Sequence, residues 1–167
     1  MTVKENSPAP EYSILLYGIG NPARGDDALG TGLERYVAHQ RFPGVDTECN
    51  YQLNVEDALT ISRYDIVVFA DATHSDIEGA RLSRLQPSAG LSFTTHAMAP
   101  SHVLSLCREL YRRSPAAYVL EMQGWEWELG SDLTPRAREN LAAACRICDR
   151  LFRDPSPQTF AQLAQLS

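Results

Sequence analysis

Apolar positions along the chain follow two rhythms. The unbroken run Ile14-Leu15-Leu16-Tyr17 predicts a buried strand. Leu29, Leu33, Tyr36 and Val37 then recur at helical spacing and predict a helix over about 28–40, ended by Arg41-Phe42-Pro43-Gly44. Residues 45–51 alternate apolar and polar, as a more exposed strand does. Asn54 is placed to cap a short helix with Val55, Ala58 and Leu59 on one face. In Asp65-Ile66-Val67-Val68-Phe69-Ala70-Asp71, four β-formers stand together with no polar break, the pattern of a central strand covered on both faces. Residues 79–85 suit an edge strand, and 87–91 a loop. Val103, Leu106, Cys107, Leu110 and Tyr111 stripe a helix beginning at Pro100 or Ser101, with Arg112 and Arg113 in its last turn. Residues 117–124 predict another buried strand. The clearest helix follows: Thr134 caps it, Pro135 takes its first position, and Ala137, Leu141, Ala144, Cys145, Cys148, Leu151 and Phe152 repeat through to Arg153. Asp154-Pro155-Ser156-Pro157 breaks it, and 160–166 suits one or two further helical turns.

Strands alternating with helices imply an α/β fold: a three-layer sandwich, with about five strands in a mostly parallel twisted sheet and helices on both faces. The 167 residues suit a single domain. Polar, proline-bearing residues 1–11 suggest a mobile leader with no apolar core of a signal peptide, 12–153 the α/β domain, and 154–167 a C-terminal tail.

Charge and cysteine usage narrow the function. A net charge of −6 argues against non-specific binding to nucleic acid or an anionic membrane surface. No apolar run reaches the ~18 residues of a spanning helix. The four cysteines, with no export signal, point to free thiols in the cytoplasm. Cys145-Arg-Ile-Cys148 lies on the apolar stripe of the last helix with no second pair to complete a zinc site, so core thiols are expected there.

Chemistry concentrates where strands end. The stretch Gly18-Ile19-Gly20-Asn21-Pro22-Ala23-Arg24-Gly25-Asp26-Asp27-Ala28-Leu29-Gly30 is strand, tight turn and helix start. Either Asp26 or Asp27 suits a helix cap; alternatively one caps while the other points into a cleft at the carboxyl edge of the sheet, where α/β folds bind ligands. Asp71 ends the central strand, where it can equally satisfy backbone amides. His96, in the connection before the helix at Pro100, suits a solvated loop residue as well as a ligand. His39, His74 and His102 have no better context. Together Asp27, Asp71 and His96 would form an open oxygen and nitrogen site suited to Ni, Zn, Mn or Fe.

Gly-x-Gly-Asn-Pro-x-x-x-Asp-Asp-x-x-Gly resembles the opening signature of the hydrogenase maturation endopeptidases, which trim the C-terminus of the large subunit of nickel-iron hydrogenases. Val-Val-Phe-Ala-Asp71-Ala is similar to the family's central strand. Thr-His96 followed by Val103-Leu104 is similar to its third segment. The stretch 124–130 before Leu133-Thr134-Pro135 resembles its closing strand and the start of its last helix. Together these cover roughly 12–152. The resemblance implies a nickel-recognising site of Asp27, Asp71 and His96. Asp26 would be a base or a partner supporting those ligands. The nickel would be carried by the substrate, with other divalent metals able to occupy the site in vitro. The partner would be the large-subunit precursor. Tyr51-Gln52-Leu53-Asn54 departs from the Gly-Thr or Gly-Gly turn common in the family, closer to partners of soluble multi-subunit hydrogenases, and Ala28 stands where Gly is common. Two alternatives compete. Peptidyl-tRNA hydrolases share the strand and Gly-x-Gly-Asn-Pro, but here Arg24 leads into Gly25-Asp26-Asp27 without their Arg-His-Asn segment, and the acidic balance is wrong for tRNA phosphates. A non-catalytic nucleotide- or peptide-binding module would use the glycine turn, yet position 23 is alanine and the full dinucleotide fingerprint is absent.

Overall fold

Ile14–Ile19 forms β1, and every residue of it is buried. That is the behaviour of a strand covered on both faces, and it sets the layers. The computed structural model describes residues 9–88 and 98–165. The strands are β1, β2 (Val45–Asn50), β3 (Ile66–Thr73), β4 (Ala80–Arg84) and β5 (Ala116–Gln123), in the order β2-β1-β3-β5-β4. The pairs β1–β2, β1–β3 and β3–β5 are parallel, and β4 closes one edge antiparallel to β5. The helices are α1 (Leu29–Gln40), α2 (Asp57–Ile61), α3 (Pro100–Tyr111), α4 (Pro135–Arg153) and α5 (Pro157–Gln165).

Alternate residues of β1 feed two cores. Ile14 and Leu16 join Leu29, Leu33, Leu151 and Phe152 on the face covered by α1, α4 and α5. Leu15, Tyr17 and Ile19 join Ala58, Ile61, Val103 and Cys107 on the face covered by α2 and α3. The expected three-layer α/β sandwich is the fold observed. Helix α4 spans 135–153 as its periodicity requires, with the Thr134 hydroxyl accepting from Ala137 N at 3.1 Å. No helix among the described residues is long and apolar enough to cross a membrane.

The differences from expectation are local and have physical causes. The segment 124–130, expected as a closing strand, is a loop. Its amides bond to carboxylates instead of a neighbouring strand: Trp125 and Glu126 to Asp26, and Trp127 and Glu128 to Glu126. Asn54 does not cap α2 as its N-terminal residue; Glu56 holds that position, while the Asn54 Oδ1 accepts from Glu56 N and the Asp57 Oδ2 accepts from Asn54 N. The face of α2 that packs is Ala58 and Ile61, leaving Val55 and Leu59 exposed. Helix α3 stops at Tyr111 because Arg112 turns left-handed (φ 55°), so Arg112 and Arg113 lie beyond it, and Leu110 and Tyr111 are exposed. The expected tail folds as α5, whose Phe160 is fully buried and lies 4.9 Å from the Tyr118 ring, centroid to centroid. Cys148 is buried and Cys145 half-buried, and no disulfide links the described cysteines.

Gly30 sets how closely α1 sits on the sheet. A Cβ there would overlap the carbonyl oxygens of Ile19 and Ala70. The helix start is therefore pressed against the ends of β1 and β3 together. Gly30→Ala is expected to cost ~2–3 kcal/mol, because backbone rather than a flexible side chain must move. Urea unfolding checks this; a loss under ~0.5 kcal/mol would show that α1 can retreat freely.

Candidate active site

In a parallel sheet, ligands settle where consecutive connections leave in opposite directions. Here the chain leaves β1 through α1 on one face to reach β2, then returns through α2 on the other face to β3. The switch point lies between the carboxyl ends of β1 and β3. Asp27 reaches it from the turn after β1, and Asp71 stands near the end of β3 itself.

The turn after β1 is a 3-10 helix, Gly25–Ala28, stitched to the loop after β5. Gly25 N donates to Ser131 O (2.9 Å), Asp26 N to Glu126 O (2.7 Å) and Gly130 N to Ala23 O (2.7 Å). Gly25 has φ 53°, and a Cβ on it would lie 2.5 Å from Glu126 O, so only glycine allows both the turn and the contact.

The two adjacent aspartates do different things, and neither caps its own helix. Asp26 is fully buried. Its oxygens accept from Trp125 N (2.8 Å), Glu126 N (3.1 Å), Thr134 N (2.7 Å) and the Thr134 hydroxyl (2.9 Å). Burial works to raise its pKa, but those donors outweigh it and hold the carboxyl below the ordinary range. A carboxylate so occupied is a strut between two loops. That geometry disfavours the base role set beside it from the sequence. Asp27 is partly exposed, and its Oδ2 accepts from Asn21 N at 2.7 Å.

Asp71 carries the strongest electrostatic signature at this edge. Burial, followed by the charges of Asp27 and Glu121, raises its pKa to about 7, against a single lowering contact from Ala72 N–H. Asp27 and Asp71 are thus close enough to repel. Two neighbouring oxygen donors of like charge suit a divalent cation. Among the described residues no three His, Cys, Asp or Glu side chains converge into a complete metal set. His96, the third expected ligand, lies outside the described residues.

Sequence reasoning missed His74. Three positions beyond Asp71, its ring lies 4.1 Å from that of Trp127, centroid to centroid. Both rings line a cavity of about 340 Å³ with Arg24 and Asp27. Only its place at the end of the central strand hinted at this, because Trp127 lies on the far side of the sequence. The largest cavity volumes lie elsewhere, such as about 780 Å³ beside Arg146 and Arg150. The switch point nevertheless holds the carboxylate whose proton affinity is raised beside a second carboxylate, Asp71 beside Asp27.

No protein-family model matches the chain, and no curated protein does. Solved structures do. The NiFe hydrogenase maturation protease HycI of Thermococcus kodakarensis KOD1 is similar over 86% of this chain and 92% of its own, with a TM-score of 0.63 and 23% identity. The hydrogenase maturating endopeptidase HybD of E. coli is similar over 86% and 93%, with a TM-score of 0.65 and 20% identity. A hydrogenase 2 maturation peptidase from a Thaumarchaeota archaeon covers 83% and 97%, with a TM-score of 0.60 and 17% identity. At these identities the likeness is one of fold.

Proposed function

We propose that this chain is a cytoplasmic endopeptidase that removes the C-terminal extension from the large subunit of a nickel-iron hydrogenase after nickel has been inserted. The observation that carries the reading is the Asp27–Asp71 pair at the switch point, with Asp71 raised to about 7. Support comes from the fold, which this chain has in common with the hydrogenase maturation proteases HycI and HybD. A peptidyl-tRNA hydrolase reading has neither a matching site nor a favourable charge, and a passive binding module gives no account of a carboxyl whose proton affinity is raised by burial and a neighbouring carboxylate.

Asp71 is poised to hold or release a proton near neutrality, as a group that assists amide hydrolysis must. Water adds across the scissile bond; its oxygen goes to the carbonyl carbon and a proton reaches the leaving amine. Asp71 can relay that proton. The nickel belongs to the substrate, held on its thiolates, and can polarise a carbonyl or simply mark the loaded precursor. Asp27, Asp71 and His96 would complete its coordination. Positive charge arriving beside Asp71 favours the ionised carboxylate, so docking of a loaded precursor and loss of the Asp71 proton are coupled.

With no three ligand side chains converging among the described residues, the isolated protein is expected to bind metal weakly. Purified protein should carry substoichiometric metal and should shorten nickel-loaded, but not nickel-free, large subunit, read as a C-terminal mass change. Tight stoichiometric metal with equal cleavage of both precursors would point instead to a conventional metalloprotease.

A further inference from the structure

Arg24 is an arginine whose partners leave most of its donors unused. Its Nε donates to the Trp127 carbonyl at 3.2 Å. The ion pairs among the described residues are Arg81–Glu121, Arg113–Asp65 and Arg153–Asp149, and Arg24 takes part in none. What Arg24 does line is the cavity it shares with Asp27, His74 and Trp127.

The mounting is firm. The three backbone bonds between the turn and the loop after β5 fix Arg24 against Trp127, and Trp127 N is itself held by the Glu126 carboxylate at 2.9 Å. A guanidinium anchored through Nε presents its remaining N–H groups in a fixed plane, and it has no acceptor of its own. Being exposed, those N–H groups are open to an acceptor from outside. A full anion would be opposed by Asp27 in the same cavity. A neutral carbonyl oxygen would not, and a flat group suits walls made of two rings. Fixed donors beside a reacting amide are also the arrangement that stabilises charge growing on its oxygen.

We propose that Arg24 is a substrate-binding residue that donates to a main-chain carbonyl oxygen of the precursor beside the scissile bond, with His74 and Trp127 as the walls of that subsite. This rests on the proteolytic reading above and names the part of the substrate that the cavity takes.

The test compares wild type, Arg24→Ala and Arg24→Lys on nickel-loaded precursor. Arg24→Ala should lower kcat/KM by about 10- to 100-fold, the range of a hydrogen bond to a charged donor. Its melting temperature should be little changed, because the side chain is exposed and makes one internal bond. Arg24→Lys should remain well below wild type, since a lysine lacks both the Nε anchor and the planar fork. Millimolar guanidinium should restore part of the activity of Arg24→Ala and none to wild type. Activity of Arg24→Ala within twofold of wild type would overturn the assignment, as would a loss that follows the melting temperature without rescue. If wild type leaves the loaded precursor uncut, the proteolytic reading fails on its own account. Binding of the precursor's C-terminal peptide then decides for Arg24: tenfold weaker binding by Arg24→Ala supports the contact, and equal binding refutes it.

Discussion

Asp71→Asn is expected to stop precursor processing while making the free protein more stable at pH 8. The activity half follows from its position: loss of a proton-relaying group costs about 10²- to 10⁴-fold. The stability half follows from linkage. The folded protein holds the Asp71 proton up to about pH 7, against 3.8 for the ordinary side chain. A raised carboxyl pKa contributes stability that is complete below the unfolded value and disappears as pH rises through the folded one. Wild type should therefore lose stability between about pH 4 and pH 7 on account of this residue. Every tenfold gain in proton affinity on folding corresponds to ~1.4 kcal/mol, and after discounting for partial solvent access a difference of ~2 kcal/mol is the expected size. Asn, isosteric with the protonated acid, should be level with wild type at pH 4 and exceed it at pH 8. Asp27→Asn should steepen nothing and instead lower the Asp71 pKa, because it removes a repelling charge. Thermal unfolding from pH 4 to pH 8 in the presence of chelator measures all three proteins. Parallel curves for wild type and Asp71→Asn would mean that Asp71 is not forced to keep its proton, and the carboxylate pair would lose its meaning.

The layers were legible because burial on two faces leaves a local trace. Val67, Val68 and Phe69 stand without a polar break since both faces of β3 are covered, and that trace lies in consecutive residues. Thr134-Pro135 marked the start of α4 because its capping bond spans three positions. The site was legible only in part. Asp71 shows itself at the end of a buried run, whereas His74 looks like any loop histidine until Trp127 comes up against it from another loop. The same distance explains why 124–130 is not the closing strand that the resemblance implied. The amides of Trp125, Glu126, Trp127 and Glu128 are taken by Asp26, about a hundred positions earlier, and by the side chain of Glu126 itself. Likeness of a segment to a family pattern does not say where its backbone hydrogen bonds go.

Asp26 therefore carries the second large expectation, and its sign is opposite to that of Asp71. Asp26→Ala would leave three backbone N–H groups and the Thr134 hydroxyl without their acceptor, around a side chain that is itself fully buried. Buried donors left unpaired cost ~1–3 kcal/mol apiece, though part is recovered as the loop relaxes, so a total of ~3–5 kcal/mol is expected. Asp26→Asn keeps one acceptor oxygen but turns an amide NH₂ toward donors, and should still cost ~2 kcal/mol. The folded carboxyl pKa is depressed, so its contribution is complete above the unfolded value and is lost as pH falls through the folded one. The stability lost in Asp26→Asn relative to wild type should accordingly be large at pH 7 and shrink on acidification, whereas Asp71→Asn differs from wild type only as pH rises. Processing should decline in the Asp26 variants as the loop carrying Trp127 loosens, and it should decline in step with stability. Urea unfolding at pH 7 and pH 3.5, run beside the cleavage assay, separates the two roles. An Asp26→Asn protein as stable as wild type yet inactive would make Asp26 the base after all, and the strut would be the wrong description.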